Sequence, residues 1–120
     1  MDRGPPLKRI VVLAVSLVLA LAGCSSEEHP WVDDDVSFVA DGLTIHGTYH
    51  HQKGAGPAPA ALLISESGPT DRNGDNAVVG PIGNMRQLAE QLSGQGVASL
   101  RYDKVGTGKT GLGPYQNRPN

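Results

Sequence analysis

The sequence predicts a small α/β fold, in which an antiparallel β-hairpin precedes one strand–helix–strand unit of a parallel sheet. Two observations indicate this class: apolar runs of strand length bounded by turn residues, and one segment of helical spacing between two such runs. The 120 residues allow one domain. The 16 glycines and 9 prolines favour many turns and leave little length for long helices.

The hairpin is expected at the start of the folded region. Residues 36–40 are rich in β-prone side chains, and Asp41-Gly42 follows them as a strong turn signal. Residues 43–49 then alternate, which places Leu43, Ile45, Gly47 and Tyr49 on one face and polar groups on the other.

The strand–helix–strand unit follows a loop that ends at Pro59. Residues 60–64 form a continuous apolar run, which is typical of a strand covered on both faces in a parallel sheet. Residues 97–102 are predicted to form the next strand of this sheet. Between them, apolar side chains recur at the helical spacing and end before Gly94, at Ile82, Met85, Leu88, Ala89 and Leu92.

The first 23 residues have the pattern of an export signal. Three basic residues (Arg3, Lys8 and Arg9) precede the apolar residues 10–22, a run too short to span a bilayer comfortably. The stretch ends Leu21-Ala22-Gly23-Cys24, which resembles the lipobox of bacterial lipoproteins. We therefore expect lipidation of Cys24 and an extracytoplasmic, lipid-anchored protein of the cell membrane or outer envelope. The alternative is an ordinary secretory signal with an unrelated cysteine.

Domain organisation follows from these signals. Residues 1–23 are the predicted signal peptide, residues 24–35 a polar, acidic tether, and residues 36–120 the folded part. The net charge of −2 argues against a nucleic-acid partner. A single cysteine excludes a disulfide framework and a multi-cysteine zinc site.

Three local patterns suggest metal or nucleotide binding, and each fails on spacing. Asp71, Asn73 and Asp75 alternate as in an EF-hand loop, but Asn76 and Ile82 stand where that loop needs Gly and Glu. Residues 106–110 end like a phosphate-binding loop, but Asp103 stands where its first Gly belongs. The adjacent His50 and His51 would point to opposite faces of a strand and cannot chelate one ion together. No cofactor, metal or nucleotide is therefore expected.

The whole pattern resembles the N-terminal part of an α/β-hydrolase, in particular the esterase and serine-aminopeptidase-like branch. The resemblance covers about residues 36–115 and rests mainly on two segments read together, Ser67-Gly68-Pro69-Thr70-Asp71-Arg72 and Leu100-Arg101-Tyr102-Asp103-Lys104. It implies a mostly parallel sheet, a Ser-His-Asp triad, and a loop after the third strand that supplies one oxyanion-hole N–H. Pro69 has no N–H. The candidate donor is the backbone N–H of Ser67, and the alternative is that Ser67 only shapes the turn.

The nucleophile elbow of this family, G-x-S-x-G, does not occur around any serine of residues 37–99. The family's chain order of Ser, acid and His also excludes His46, His50 and His51 as the base. The sequence thus predicts an incomplete α/β-hydrolase fold: the N-terminal portion of an exported serine hydrolase, inactive by itself, whose intact parent acts on a small ester or peptide. The alternative is a small, non-catalytic lipoprotein that serves as a binding module of the cell envelope.

Overall fold

A computed structural model describes residues 28–117 of the chain. The predicted signal peptide (residues 1–23) and Cys24 lie outside the described residues. The elements are four strands, one α-helix and one 3-10 turn: β1 (Trp31–Ala40), β2 (Leu43–Gln52), β3 (Ala60–Leu63), α1 (Asn84–Ser93), β4 (Ala98–Tyr102) and the turn Gly113–Tyr115. No helix within residues 28–117 is both long and apolar enough to cross a membrane.

The hairpin predicted around Asp41-Gly42 is confirmed. Strands β1 and β2 pair antiparallel along their full length, from Trp31 opposite Gln52 to Ala40 opposite Leu43. Asp41 and Gly42 both have positive φ, +50° and +76°. Positive φ at both positions of a two-residue turn matches the right-handed twist of the strands that the turn joins.

The acidic tether predicted for residues 24–35 is wrong for its last part, because β1 already begins at Trp31. The three consecutive carboxylates are strand residues with side-chain partners in β2 and in the loop after β3. Asp33 accepts a hydrogen bond from His50 and Asp34 one from His51, the latter at 2.7 Å. Asp35 pairs with Arg72 at 3.0 Å. The acidic run is therefore a paired strand whose carboxylates remain exposed to solvent.

The strand–helix–strand unit is confirmed as well. The strand order is β1-β2-β4-β3, so β4 pairs antiparallel with β2 on one side and parallel with β3 on the other. Helix α1 connects the two parallel strands and contacts β4 most extensively. The result is a small mixed sheet with one helix.

The prediction that β3 is covered on both faces is wrong for this chain. Leu63 lies on the same sheet face as Arg101, and both are buried. Leu62 points to the opposite face and is 57% exposed, and Ile64, just after the strand, is 60% exposed. One helix covers one face, so within residues 28–117 the other face of the parallel pair remains open.

Candidate functional site

The loop that follows β3 is a tight turn at the carboxyl end of a parallel strand, the position where α/β sheets bind ligands. Gly68 adopts a φ of +85°, which glycine tolerates without strain. The N–H of Thr70 donates to the carbonyl of Gly68 at 2.8 Å. The hydroxyl of buried Ser65 donates to the carbonyl of Thr70 at 3.2 Å. These two bonds fix the turn around Ser67.

The side chain of Lys104 binds this turn from the end of the neighbouring strand. It follows β4, whose carboxyl end lies beside that of β3 because the two strands run parallel. Its Nζ donates to the carbonyl oxygens of Glu66 and of Gly68. The ammonium group therefore binds the carbonyls on both sides of Ser67.

Ser67 itself is exposed, and its backbone N–H has no hydrogen-bond partner within residues 28–117. This N–H shares its peptide unit with the carbonyl of Glu66, which accepts a bond from Lys104. Hydrogen bonds in a chain polarise one another, so this contact makes the Ser67 N–H a stronger donor. A free N–H in a fixed loop can stabilise a negatively charged oxygen.

A buried ion pair joins the loop after β3 to the loop after β4. The side chains of Arg72 and Asp103 are 8% and 2% exposed, and Arg72 Nη2 lies 2.9 Å from Asp103 Oδ2. Burial by itself raises the pKa of Asp103, but hydrogen bonds from Arg72 and from the N–H of Lys109 outweigh it and hold the pKa below its ordinary value. Asp103 therefore stays ionised, as a structural anion at the base of the site.

The segment that resembles a phosphate-binding loop wraps the Asp103 carboxylate instead. The N–H of Lys109 donates to Asp103 Oδ2 at 2.8 Å. A Cβ at Gly108 would lie 2.3 Å from the Asp103 carboxyl carbon, so only glycine permits this approach. The loop thus directs the N–H of Lys109 to an internal carboxylate, in the way that a phosphate-binding loop directs its N–H groups to a phosphate.

The alternating Asp71 and Asp75 use their carboxylates on the backbone. Asp71 Oδ1 accepts from the N–H groups of Asn73 and Asp75, at 2.8 and 3.1 Å. Asp75 Oδ1 accepts from the N–H of Gly83, just before α1. Within residues 28–117, no group of three or more His, Cys, Asp and Glu side chains is arranged to hold a metal ion.

The strand register places Ser99, His50 and Asp33 in one row across β4, β2 and β1. His50 Nδ1 lies 2.8 Å from Asp33 Oδ1, as in the base and acid of a catalytic triad. Ser99, however, is 0% exposed, and its hydroxyl has no hydrogen-bond partner among residues 28–117. A nucleophile must contact both its base and the substrate, so this row is not a catalytic triad.

Sequence reasoning singled out Ser67, whose role stays a prediction, and missed the side chains that surround it. Arg72 connects Asp103, Asp35 and the hydroxyl of Thr48, the last at 2.9 Å. These residues are 24 to 37 positions apart from Arg72 in the sequence. The charged motif residues Arg72, Asp103 and Lys104 were the available signal, but their partners follow only from the parallel pairing of β3 with β4.

Comparisons with known proteins agree on the class of fold. No protein-family model matches the chain. The chain is 35% identical to Esterase EstD of Thermotoga maritima over 80 residues, an alignment that covers 64% of this chain and 19% of that protein. A PEG-bound, cold-adapted esterase from an Arctic intertidal metagenomic library superposes with a TM-score of 0.50 and 21% identity, over 72% of this chain and 33% of that chain. The α/β hydrolase GrgF from Penicillium sp. sh18 has a TM-score of 0.46 and 23% identity, over 67% and 24%.

The chain thus spans about a fifth of the length of the curated relative that it matches (19%). Its structural match covers a similarly limited part, about a third, of the solved esterase (33%). The described residues have the fold of one part of an α/β hydrolase. Over about two thirds of the chain (64%), the sequence is related to that of an esterase.

Proposed function

We propose that this chain forms the N-terminal portion of a serine hydrolase and that it contributes the backbone N–H of Ser67 to the oxyanion hole. The observation that carries the proposal is the free, exposed N–H of Ser67 in a turn fixed at the carboxyl end of β3. The fold supports this role, because α/β-hydrolases take one oxyanion donor from the loop after the third strand.

The chemistry of the donor follows from its geometry. Attack on an ester or amide carbonyl places negative charge on the carbonyl oxygen, and a fixed N–H stabilises that charge without reorganising. Lys104 contributes by binding the carbonyl of Glu66, and thereby polarises the N–H on the same peptide unit.

Hydrolysis also needs a nucleophile and a base. The sequence of this chain has no G-x-S-x-G motif, and its serines and histidines do not form a triad of the family's order. We infer that the chain does not hydrolyse esters by itself, and that the nucleophile, the acid and the histidine belong to polypeptide beyond it. The relative named as an esterase favours a carboxylic ester over a peptide as the substrate of the intact enzyme.

The export pattern supports a second part of the proposal, namely that Cys24 carries a lipid and anchors the enzyme outside the cytoplasm. Small residues before Cys24 and the apolar run upstream support processing at this cysteine. Metabolic labelling with a palmitate analogue tests it: the wild-type chain should be labelled and membrane-bound, whereas Cys24→Ser should be unlabelled. Equal labelling of both would refute lipidation at Cys24.

The oxyanion role is tested in a chimera of the Thermotoga maritima esterase in which the aligned segment is replaced by the corresponding segment of this chain. In the chimera, Ser67→Pro removes the N–H and should lower kcat by about 10²–10³-fold at similar KM. Ser67→Ala, the matched control, keeps the N–H and should lower kcat less than about threefold. Equal kcat for both variants, with unchanged thermal unfolding, would show that Ser67 only shapes the turn.

A further inference from the structure

A polar cavity of about 490 Å³ lies on the sheet beside α1, apart from the Ser67 turn. This volume is within the range of small-molecule sites. Charged side chains dominate its wall, which is formed by Asp33, Asp35, Thr48, Asp71, Arg72, Asn73, Arg86, Arg101, Asp103, Gly108 and Lys109.

The carboxylates in this wall already have partners. Asp103 accepts three hydrogen bonds from Arg72 and one from the N–H of Lys109. Asp35 is bound by Arg72 and by Lys109 Nζ. One oxygen of Asp33 is bound to His50, and one of Asp71 to backbone N–H groups. Arg72 and Lys109 thus neutralise Asp35 and Asp103, whereas Asp33 and Asp71 are held by His50 and by backbone N–H groups.

Arg101 differs from these groups because its guanidinium is buried and poorly paired. Its side chain is only 5% exposed, and its nearest carboxylate, Asp33, lies 3.9 Å away. Its one hydrogen bond within residues 28–117 runs from Nε to the side-chain oxygen of Asn73, at 3.3 Å. A guanidinium has five N–H donors. Within the described residues, Nη1 and Nη2 donate no hydrogen bond, and Nη2 has only the ion pair with Asp33 at 3.9 Å.

Burial lowers the pKa of Arg101, and although Asp33 opposes this, the neighbouring Arg72 and Arg86 lower it further. Removing a charge from water is costly unless an opposite charge accompanies it. The charged form of Arg101 is therefore poorly stabilised by its surroundings, and an anion bound against its guanidinium would stabilise it.

Arg86 offers a second guanidinium to the same cavity from the first turns of α1. It is 56% exposed, and its nearest carboxylate, Glu90, is 3.9 Å away on the same helix. An exposed pair at that distance holds a side chain weakly. Arg86 is thus free to turn toward a ligand that Arg101 binds from below.

We propose that this cavity binds the phosphate group of a small soluble molecule, with Arg101 as the buried anchor and Arg86 as a second contact at the rim. Two guanidinium groups match the double negative charge of a phosphate, and the planar fork of arginine suits its oxygens. The site is separate from the Ser67 turn, and the inference does not depend on the proposed hydrolase function.

The test is a titration of the full chain with inorganic phosphate, against chloride at the same ionic strength, by calorimetry and by thermal unfolding. Saturable binding is expected. Arg86→Gln should weaken it about tenfold or more, since a charge-assisted contact is lost. Lys53→Gln makes the same change of charge outside the cavity and should change the affinity less than about twofold. A parallel titration with glycerol phosphate distinguishes a free phosphate from an esterified one.

Arg101→Lys keeps the positive charge but removes the planar guanidinium with its paired N–H donors. It should also weaken phosphate binding by about tenfold. Should this buried substitution prevent folding, Arg86→Gln decides alone, because that residue is exposed. A phosphate response equal to that of chloride, or an affinity unchanged in Arg86→Gln, would overturn the proposal.

Discussion

Arg72 and Asp103 bind each other through both side chain and backbone. Arg72 Nε and Nη2 donate to Asp103 Oδ2 at 3.0 and 2.9 Å, and the Arg72 N–H donates to Oδ1 at 2.8 Å. Arg72 belongs to the loop after β3 and Asp103 to the loop after β4. The pair therefore sets the relative position of the two loops that form the Ser67 turn and its Lys104 contact.

Replacing Asp103 by Asn should lower the free energy of unfolding by about 3–5 kcal/mol, because the buried Arg72 guanidinium loses its buried counter-charge and keeps only the exposed Asp35. The measurement is denaturant unfolding followed by circular dichroism. Glu90→Gln, which alters an exposed pair, is the control and should cost less than about 1 kcal/mol. A loss in Asp103→Asn no larger than in the control would show that the pair does not hold the loops.

Stability should fall in acid because of Asp103. Its pKa is below the ordinary value of 3.8 in the folded chain, since the bonds from Arg72 and Lys109 outweigh burial. Between the folded and the unfolded pKa of Asp103, the unfolded chain binds more protons than the folded one. The stabilisation from Asp103 is therefore fully present above the unfolded pKa, and it is lost as the pH falls through the folded pKa. Asp35, with a pKa lowered by Lys109 and Arg72, changes in the same direction.

The corresponding measurement is the free energy of unfolding between about pH 6 and pH 2. The wild-type chain should lose stability over the acidic end of this range, and Asp103→Asn should lose less over the same interval. Identical slopes for the two chains would contradict the assignment of the acid dependence to Asp103.

The two faces of β3 should respond differently to truncation. Leu63 is 8% exposed, so Leu63→Ala removes buried methyl groups and should cost about 2–3 kcal/mol. Leu62 is 57% exposed, and Leu62→Ala should change the free energy of unfolding by less than about 0.5 kcal/mol. Equal losses at the two positions would mean that the open face of β3 is covered in solution.

Removal of the Lys104 ammonium should loosen the Ser67 turn. The Thr70 N–H is bonded to the Gly68 carbonyl, which Lys104 also binds. In Lys104→Met, we expect this N–H to exchange with solvent about tenfold faster, because losing a contact of about 1.4 kcal/mol shifts the opening equilibrium of the turn tenfold. Native-state hydrogen exchange measured by NMR gives this rate. Lys109→Met removes an ammonium that binds Asp35 rather than the turn, and should leave Thr70 unchanged. A similar acceleration in both variants would argue against a specific role for Lys104.

Most of the fold could be predicted because its signals are local. The hairpin follows from Asp41-Gly42, and the parallel pair follows from two apolar runs joined by one helical segment. The acidic residues Asp33–Asp35 were misread because their partners are distant: His50 is 17 positions from Asp33, and Lys109 is 74 positions from Asp35. A run of carboxylates resembles a solvated linker in sequence, because partners so far along the chain are brought to it only by the fold.

For the candidate site as well, the sequence indicated local features but not the contacts between distant residues. Ser67 could be singled out because Pro69 has no N–H and the turn follows a buried-type strand. The contact of Lys104 with the Glu66 carbonyl could not, since it depends on the register of β3 against β4. The burial of Arg101 was equally hidden, because a strand arginine gives no local sign of what covers it.

The nucleotide sequence that follows the codon for Asn120 tests the central claim most directly, namely that this chain supplies the oxyanion donor to a hydrolase whose nucleophile lies beyond it. The claim predicts a reading frame, in the same or a shifted phase, that encodes G-x-S-x-G and then an acidic residue and a histidine. The absence of such a frame in all three phases would contradict it.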